Sequence, residues 1–164
     1  MNGLFVGSFN PFHIGHEKIV RTALKFCDQV YICVAVNPEK TTFKDFDIRL
    51  HWMKESLQDL ISAGRVVLCS TSGLVADFCS ENNIGLIIKG CRNPSDFEKE
   101  RTQANINKVI NPSVDTILIP SSPTYENISS TLVRTLVQFG KPITGLVNPN
   151  IEDEVVEHFK KLNR

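Results

Sequence analysis

Leu4-Phe5-Val6 runs directly into Gly7-Ser8-Phe9-Asn10-Pro11-Phe12-His13-Ile14-Gly15-His16, and this stretch decides the fold. An apolar triplet, a turn punctuated by glycine and proline, and then apolar residues at helical spacing (Ile14, Ile19, Val20, Ala23, Leu24) predict a strand, a tight loop and a helix start. A helix start presents unpaired N–H groups and a partial positive charge, which together make an anion site. His13 and His16 stand at that mouth and add donors. The ligand class indicated is polyphosphate.

Downstream, strands and helices alternate. Val30–Val36 is apolar on both faces, as a parallel sheet covered by helices requires. Ile48, Trp52, Leu57, Leu60 and Ile61 give residues 47–61 one amphipathic helical face, ended by Gly64. Val66–Leu68 reads as the third strand, Val75–Asn82 as a short helix and Leu86–Ile88 as the fourth strand. Ser95 with Glu98 has capping-box spacing and opens a helix to about Val109. Thr116–Ile119 is the fifth strand, Ser129–Phe139 a helix closed by Gly140, and Asn148-Pro149 starts the last helix. The expected architecture is α/β: a five-stranded parallel sheet with helices on both faces, in a single domain over residues 1–164.

Ligands of such sheets bind outside the carboxyl ends of the strands. The loops there carry Ser8, His13 and His16; Lys40; Lys89 and Arg92; and Ser129, Ser130 and Thr131 at a second helix start. Each alone reads as a cap or a solvated charge; together they line one edge of the sheet. There is no P-loop, no Gly-x-Ser-x-Gly elbow and no cysteine in a nucleophile context. Many phosphate donors without a nucleophile fit attack by a substrate that is already an anion. Nucleotidyl transfer is such a reaction: the protein aligns two anions and neutralises charge growing on the transferring group. Mg²⁺ on the β- and γ-phosphates would supply the remaining charge, with no protein side chain identified as a metal ligand.

The bulk composition excludes other classes. Eighteen basic and eighteen acidic residues cancel, leaving no electrostatic footprint for nucleic acid or an anionic membrane. No apolar run approaches a membrane span, and the chain is expected to be cytoplasmic. Five cysteines without Cys-x-x-Cys spacing read as reduced core thiols. His13 and His16 have no evident third partner for zinc.

Gly7-Ser8-Phe9-Asn10-Pro11 with His13-Ile14-Gly15-His16 resembles the first signature of the nucleotidylyltransferase superfamily, and Ile128–Arg134 resembles the second. Lys89-Gly90-Cys91-Arg92-Asn93, Asp96–Glu100 and Ala104–Lys108 are similar to the phosphopantetheine adenylyltransferases, over nearly the whole chain. That resemblance implies a Rossmann-like nucleotidylyltransferase fold. It implies transfer of AMP from ATP to 4′-phosphopantetheine by direct in-line attack, giving dephospho-coenzyme A and pyrophosphate, with Mg²⁺ accompanying ATP and assembly as a hexamer. By position, His16 would stabilise the transition state, with Lys40 and Arg92 as further catalytic cations. ATP would be held by Ser8, Phe9, His16, Gly90, Cys91, Arg92, Glu100, Tyr125, Ile128, Ser129, Ser130 and Thr131. The acceptor would meet Ser8, Lys40, Leu74, Val75, Lys89 and Asn107.

The chain departs from the family pattern at Asn10, Gly73, Lys89 and Lys99. Lysine for arginine at a phosphate clamp keeps the charge and loses the bidentate fork. The competing readings are a nicotinate- or nicotinamide-mononucleotide adenylyltransferase, which shares both signatures, and a non-catalytic nucleotide-binding regulatory protein.

Overall fold

The computed structural model describes residues 1–35 and 46–162. In chain order the strands are β1 (Asn2–Gly7), β2 (Gln29–Ala35), β3 (Val66–Thr71), β4 (Leu86–Cys91) and β5 (Asp115–Pro120). The helices are α1 (Ile14–Ala23), α2 (Phe46–Ser56), α3 (Gln58–Ser62), α4 (Val75–Glu81), α5 (Pro94–Ile110), α6 (Ser130–Gln138) and α7 (Glu152–Lys161), the last entered through a 3₁₀ turn at Pro149–Ile151. The sheet is parallel throughout, in the order β3-β2-β1-β4-β5. The order reverses between β1 and β4, so their carboxyl ends open the crevice where ligands of such sheets bind.

Period-two alternation divides the strands between two cores. Phe5, Val30, Ile32, Val34, Val66, Leu86 and Ile88 pack on one face against Ile19, Val20 and Ala23 of α1 and Met53 of α2. Leu4, Val6, Cys33 and Ile87 pack on the other face with Cys79 of α4. Helices therefore cover both faces, as expected. A third cluster joins Trp52 of α2 to Val133 and Val137 of α6 and to Val155 and Phe159 of α7, and so carries α6 to the crevice.

Two sequence expectations need correction. Residues 47–61 form two helices, broken at Leu57, whose φ of −123° and ψ of 21° leave the helical region. The apolar side chains of this stretch divide between two cores. Trp52 faces the α6–α7 cluster, whereas Leu57, Leu60 and Ile61 face the sheet. The second correction concerns the start of α5. Its cap is Asn93, whose side chain accepts the Asp96 N–H at 2.9 Å, with Pro94 in the first turn. Asparagine followed by proline satisfies both cap preferences, so Ser95 lies inside the helix, and Glu98 pairs with Arg101 at 2.9 Å instead. Strands β3 and β4 also extend beyond their expected apolar cores, to Thr71 and Cys91.

Candidate active site

The loop after β1, the ends of β4 and the starts of α1, α5 and α6 enclose a cavity of about 340 Å³. Its walls bring together Ser8, Phe9, His16, Lys89, Gly90, Arg92, Glu100, Ile128, Ser129, Ser130 and Thr131, all expected from the sequence. At Gly90 a Cβ would lie 2.4 Å from Ile19 Cδ1 of α1, so any side chain there would have to displace the tip of Ile19.

His13 and His16 make a reciprocal cap on α1. The His16 N–H donates to His13 Nδ1 at 3.3 Å, and the His13 N–H donates to His16 Nδ1 at 3.2 Å. Each Nδ1 is an acceptor, so each neutral ring carries its proton on Nε2 and has one donor left. The rings stack with centroids 3.5 Å apart. Phe5, Phe9 and Phe12 surround His16 at centroid distances of 6.0, 5.0 and 5.4 Å. Phe9 takes a φ of 49°, a left-handed conformation rare for an aromatic residue, at the turn between strand and cap.

Burial, with Arg92 nearby, lowers the His13 pKa to about 4. Burial foremost, then His13 and Arg92, hold His16 well below its ordinary value. Both rings are neutral donors at neutral pH. The unfolded chain protonates His13 near 6.5, so between pH 6.5 and about 4 it holds a proton that the folded chain does not. Stability contributed by His13 is therefore complete above pH 6.5 and is lost as pH falls toward 4. His13→Thr keeps a capping oxygen and is expected to reduce the acid loss by about 2–3 kcal/mol. Urea melts at neutral pH and near pH 4.5 measure this; equal acid losses in the variant and the parent would contradict it.

The cations are held by carboxylates. Lys89 Nζ lies 3.3 Å from Glu100, and Arg92 donates to Asp96 from Nε at 3.0 Å and from its backbone N–H at 3.2 Å. Asp96 and Glu100 stand one turn apart on α5. The β1 loop is fixed from outside through its carbonyls. Arg49 Nη1 donates to Ser8 O at 3.0 Å, Arg134 donates to Asn10 O, and Ser130 Oγ donates to Pro11 O at 2.8 Å. Ser129 Oγ accepts the Leu132 N–H at 3.0 Å and caps α6, which leaves its hydroxyl proton free to donate.

The remaining expected residues lie elsewhere. Tyr125 lines a neighbouring cavity of about 240 Å³ with Lys18, Thr22 and Ile119, which shares Gly15 and Ile19 with the first. Cys91 ends β4 and its thiol donates to Asn93 O at 3.6 Å. Leu74 is exposed before α4, Val75 packs into the core below β2 and β3, and Asn107 is buried in α5, accepting from Gln103 at 3.4 Å. Neither cavity wall includes these four residues. Lys40 lies outside the described residues. Sequence reasoning assigned no role to Asp96 or Arg134, although both line the cavity. The available signals were an acid four residues after Arg92 and an arginine one helical turn after Ser130.

This fold and site define a nucleotidyltransferase. Residues 4–136 match the cytidylyltransferase-like family, a span that includes the β1 loop and the start of α6. A phosphopantetheine adenylyltransferase from Caldanaerobacter subterraneus subsp. tengcongensis is 34% identical over 158 residues, covering 96% of this chain and 97% of that one. One from Staphylococcus haemolyticus is 36% identical over 155 residues, covering 94% of each. Within the cytidylyltransferase-like proteins, the chain belongs to the phosphopantetheine adenylyltransferase family. Among solved structures, a bifunctional NMN adenylyltransferase/ADP ribose pyrophosphatase from Francisella tularensis, complexed with AMP and a manganese ion, shares the fold at TM-score 0.72 and 17% identity. The alignment covers 99% of this chain and 51% of that one.

Proposed function

We propose that the crevice binds ATP beside 4′-phosphopantetheine, and that a phosphate oxygen of the acceptor attacks the α-phosphorus in line, releasing pyrophosphate and leaving dephospho-coenzyme A. The observation that carries this reading is the convergence of both loops on neutral, half-buried His16, with Lys89, Arg92 and Arg134 in the same wall. The Nε2–H of His16 meets the oxygens that gain charge in the transition state, at no cost in protonation. Arg92 exchanges Asp96 for nucleotide phosphate, and Lys89 exchanges Glu100 for the acceptor phosphate. Lys40 is proposed as a second cation on the acceptor side. Ser8 lies between the substrates; Phe9, Gly90, Cys91, Glu100, Tyr125 and residues 128–131 belong to the nucleotide side; Leu74, Val75 and Asn107 belong to the acceptor side.

Among the described residues no group of three or more His, Cys, Asp or Glu side chains could hold a metal ion, and Asp96 and Glu100 are engaged by cations. Mg²⁺ is proposed to enter with ATP, as the MgATP substrate. We read the protein as a one-domain cytoplasmic homo-oligomer, a hexamer by family resemblance. Exposed Ile106, Val109 and Ile110 on α5 and Ile117 on β5 supply apolar surface for such contacts. No helix among the described residues is long and apolar enough to cross a membrane.

Arg134→Ala removes a charge-assisted bond to the β1 loop and is expected to lower kcat/KM for ATP about tenfold. Steady-state kinetics check this, and an unchanged value would remove Arg134 from the account. Pyrophosphate release measured with each acceptor in turn tests the function itself. Turnover with 4′-phosphopantetheine and background release with nicotinate mononucleotide are expected; preference for the mononucleotide would overturn the assignment.

A further inference from the structure

Three of the cysteines share the core beneath α4: Cys33, Cys69 and Cys79. Two of them are more than neighbours in that core. Cys33 on β2 and Cys69 on β3 are direct partners in the parallel register. Adjacent strands lie about 4.8 Å apart, within the Cα separation of about 4.4–6.8 Å that a disulfide spans. The Cys69 thiol donates to the Ile32 carbonyl at 3.5 Å and the Cys33 thiol to the Val34 carbonyl at 4.0 Å, and the two thiols influence each other's ionisation. Cys33 is fully buried, whereas Cys69 is partly exposed on β3, an edge strand of the sheet. An edge strand is paired on one side only and can shift to bring its sulfur to a neighbour.

We propose that Cys33 and Cys69 form an oxidisable dithiol site whose oxidant is a small-molecule disulfide. The accessible Cys69 sulfur attacks the small disulfide, forming a mixed disulfide and releasing one small thiol. Cys33 then attacks Cys69 Sγ and releases the second. Two protein S–H bonds and one small-molecule S–S bond are lost; one protein S–S bond and two small-molecule S–H bonds form. The cysteines are oxidised and the small disulfide is reduced. Within the pair Cys69 holds the Cys33 thiol below its ordinary range, while Cys33 and burial push the Cys69 thiol well above it. The first attack, by Cys69, is therefore the slow step and quickens as pH rises, and Cys33 suits the resolving role. Cys79 is pushed up to about 11 by burial, with the Cys33 charge second, which disfavours its thiolate.

The test incubates the reduced full chain with oxidised glutathione, then reads intact mass and maps alkylated peptides. The expected product lacks two hydrogens, contains a Cys33–Cys69 linked peptide and returns to the starting mass with dithiothreitol. Cys79→Ala should behave identically, and Cys33→Ala should stop at a glutathione adduct on Cys69. Free Cys33 and Cys69 in the treated parent, a parent halted at the adduct, or a bridge through Cys79 would each overturn the proposal.

Discussion

His16→Ala is expected to lower kcat by about 10²–10³-fold, the cost of removing one aligned donor from a charge-developing transition state. The change in KM for ATP should be smaller, because the lost interaction grows as the reaction proceeds. The substitution also removes half of the reciprocal cap, at a cost of about 1 kcal/mol, which a sheet anchored by β1 and β4 can bear. Circular dichroism should therefore match the parent while turnover falls. Phe5, Phe9, Phe12 and His13 enclose His16, and its Nδ1 is occupied by the His13 N–H. Unchanged turnover would mean that the Nε2–H does not meet the reacting phosphate.

Trp52→Ala is expected to cost about 3–5 kcal/mol of stability, in the range for deleting a large buried aromatic. Trp52 is fully buried and holds α2 against the cluster formed by α6 and α7. At about 2–4 °C per kcal/mol for a chain of this size, the melting temperature should drop by roughly 10 °C. The damage should also reach the site, because Val133 and Val137 in the same cluster position the helix whose first turn carries Ser130 and Thr131. Calorimetry measures the first effect and KM for ATP below the melting range measures the second. A melting temperature within a degree or two of the parent would show that the cavity collapses without loss, contrary to the packing described here.

Much of the site could be read locally. A strand, a punctuated turn and a helix start lie together in residues 2–16, and the Ser129 cap of α6 follows from hydroxyl residues preceding an apolar helical pattern. What escaped was the choice between competing local signals and the contacts made across the fold. Asn93-Pro94 prevailed over Ser95-Glu98 at the start of α5 because a proline in the first turn fixes where the helix begins. Residues 47–61 divide their apolar side chains between two cores, and neither core is visible in that stretch alone. Arg49 and Arg134 grip carbonyls 41 and 124 positions away in sequence, and no local pattern announces such contacts. The pairing of Lys89 with Glu100 and of Arg92 with Asp96 likewise needs α5 folded against β4. The cations are legible in the sequence; their carboxylate partners are not.

Stereochemistry at the transferred phosphorus tests the central claim most directly. With ATP made chiral at the α-phosphorus and 4′-phosphopantetheine as acceptor, a single in-line displacement gives dephospho-coenzyme A of inverted configuration. Retention would require two displacements through a covalent adenylyl-enzyme. Retention, or no dephospho-coenzyme A at all, would contradict the account.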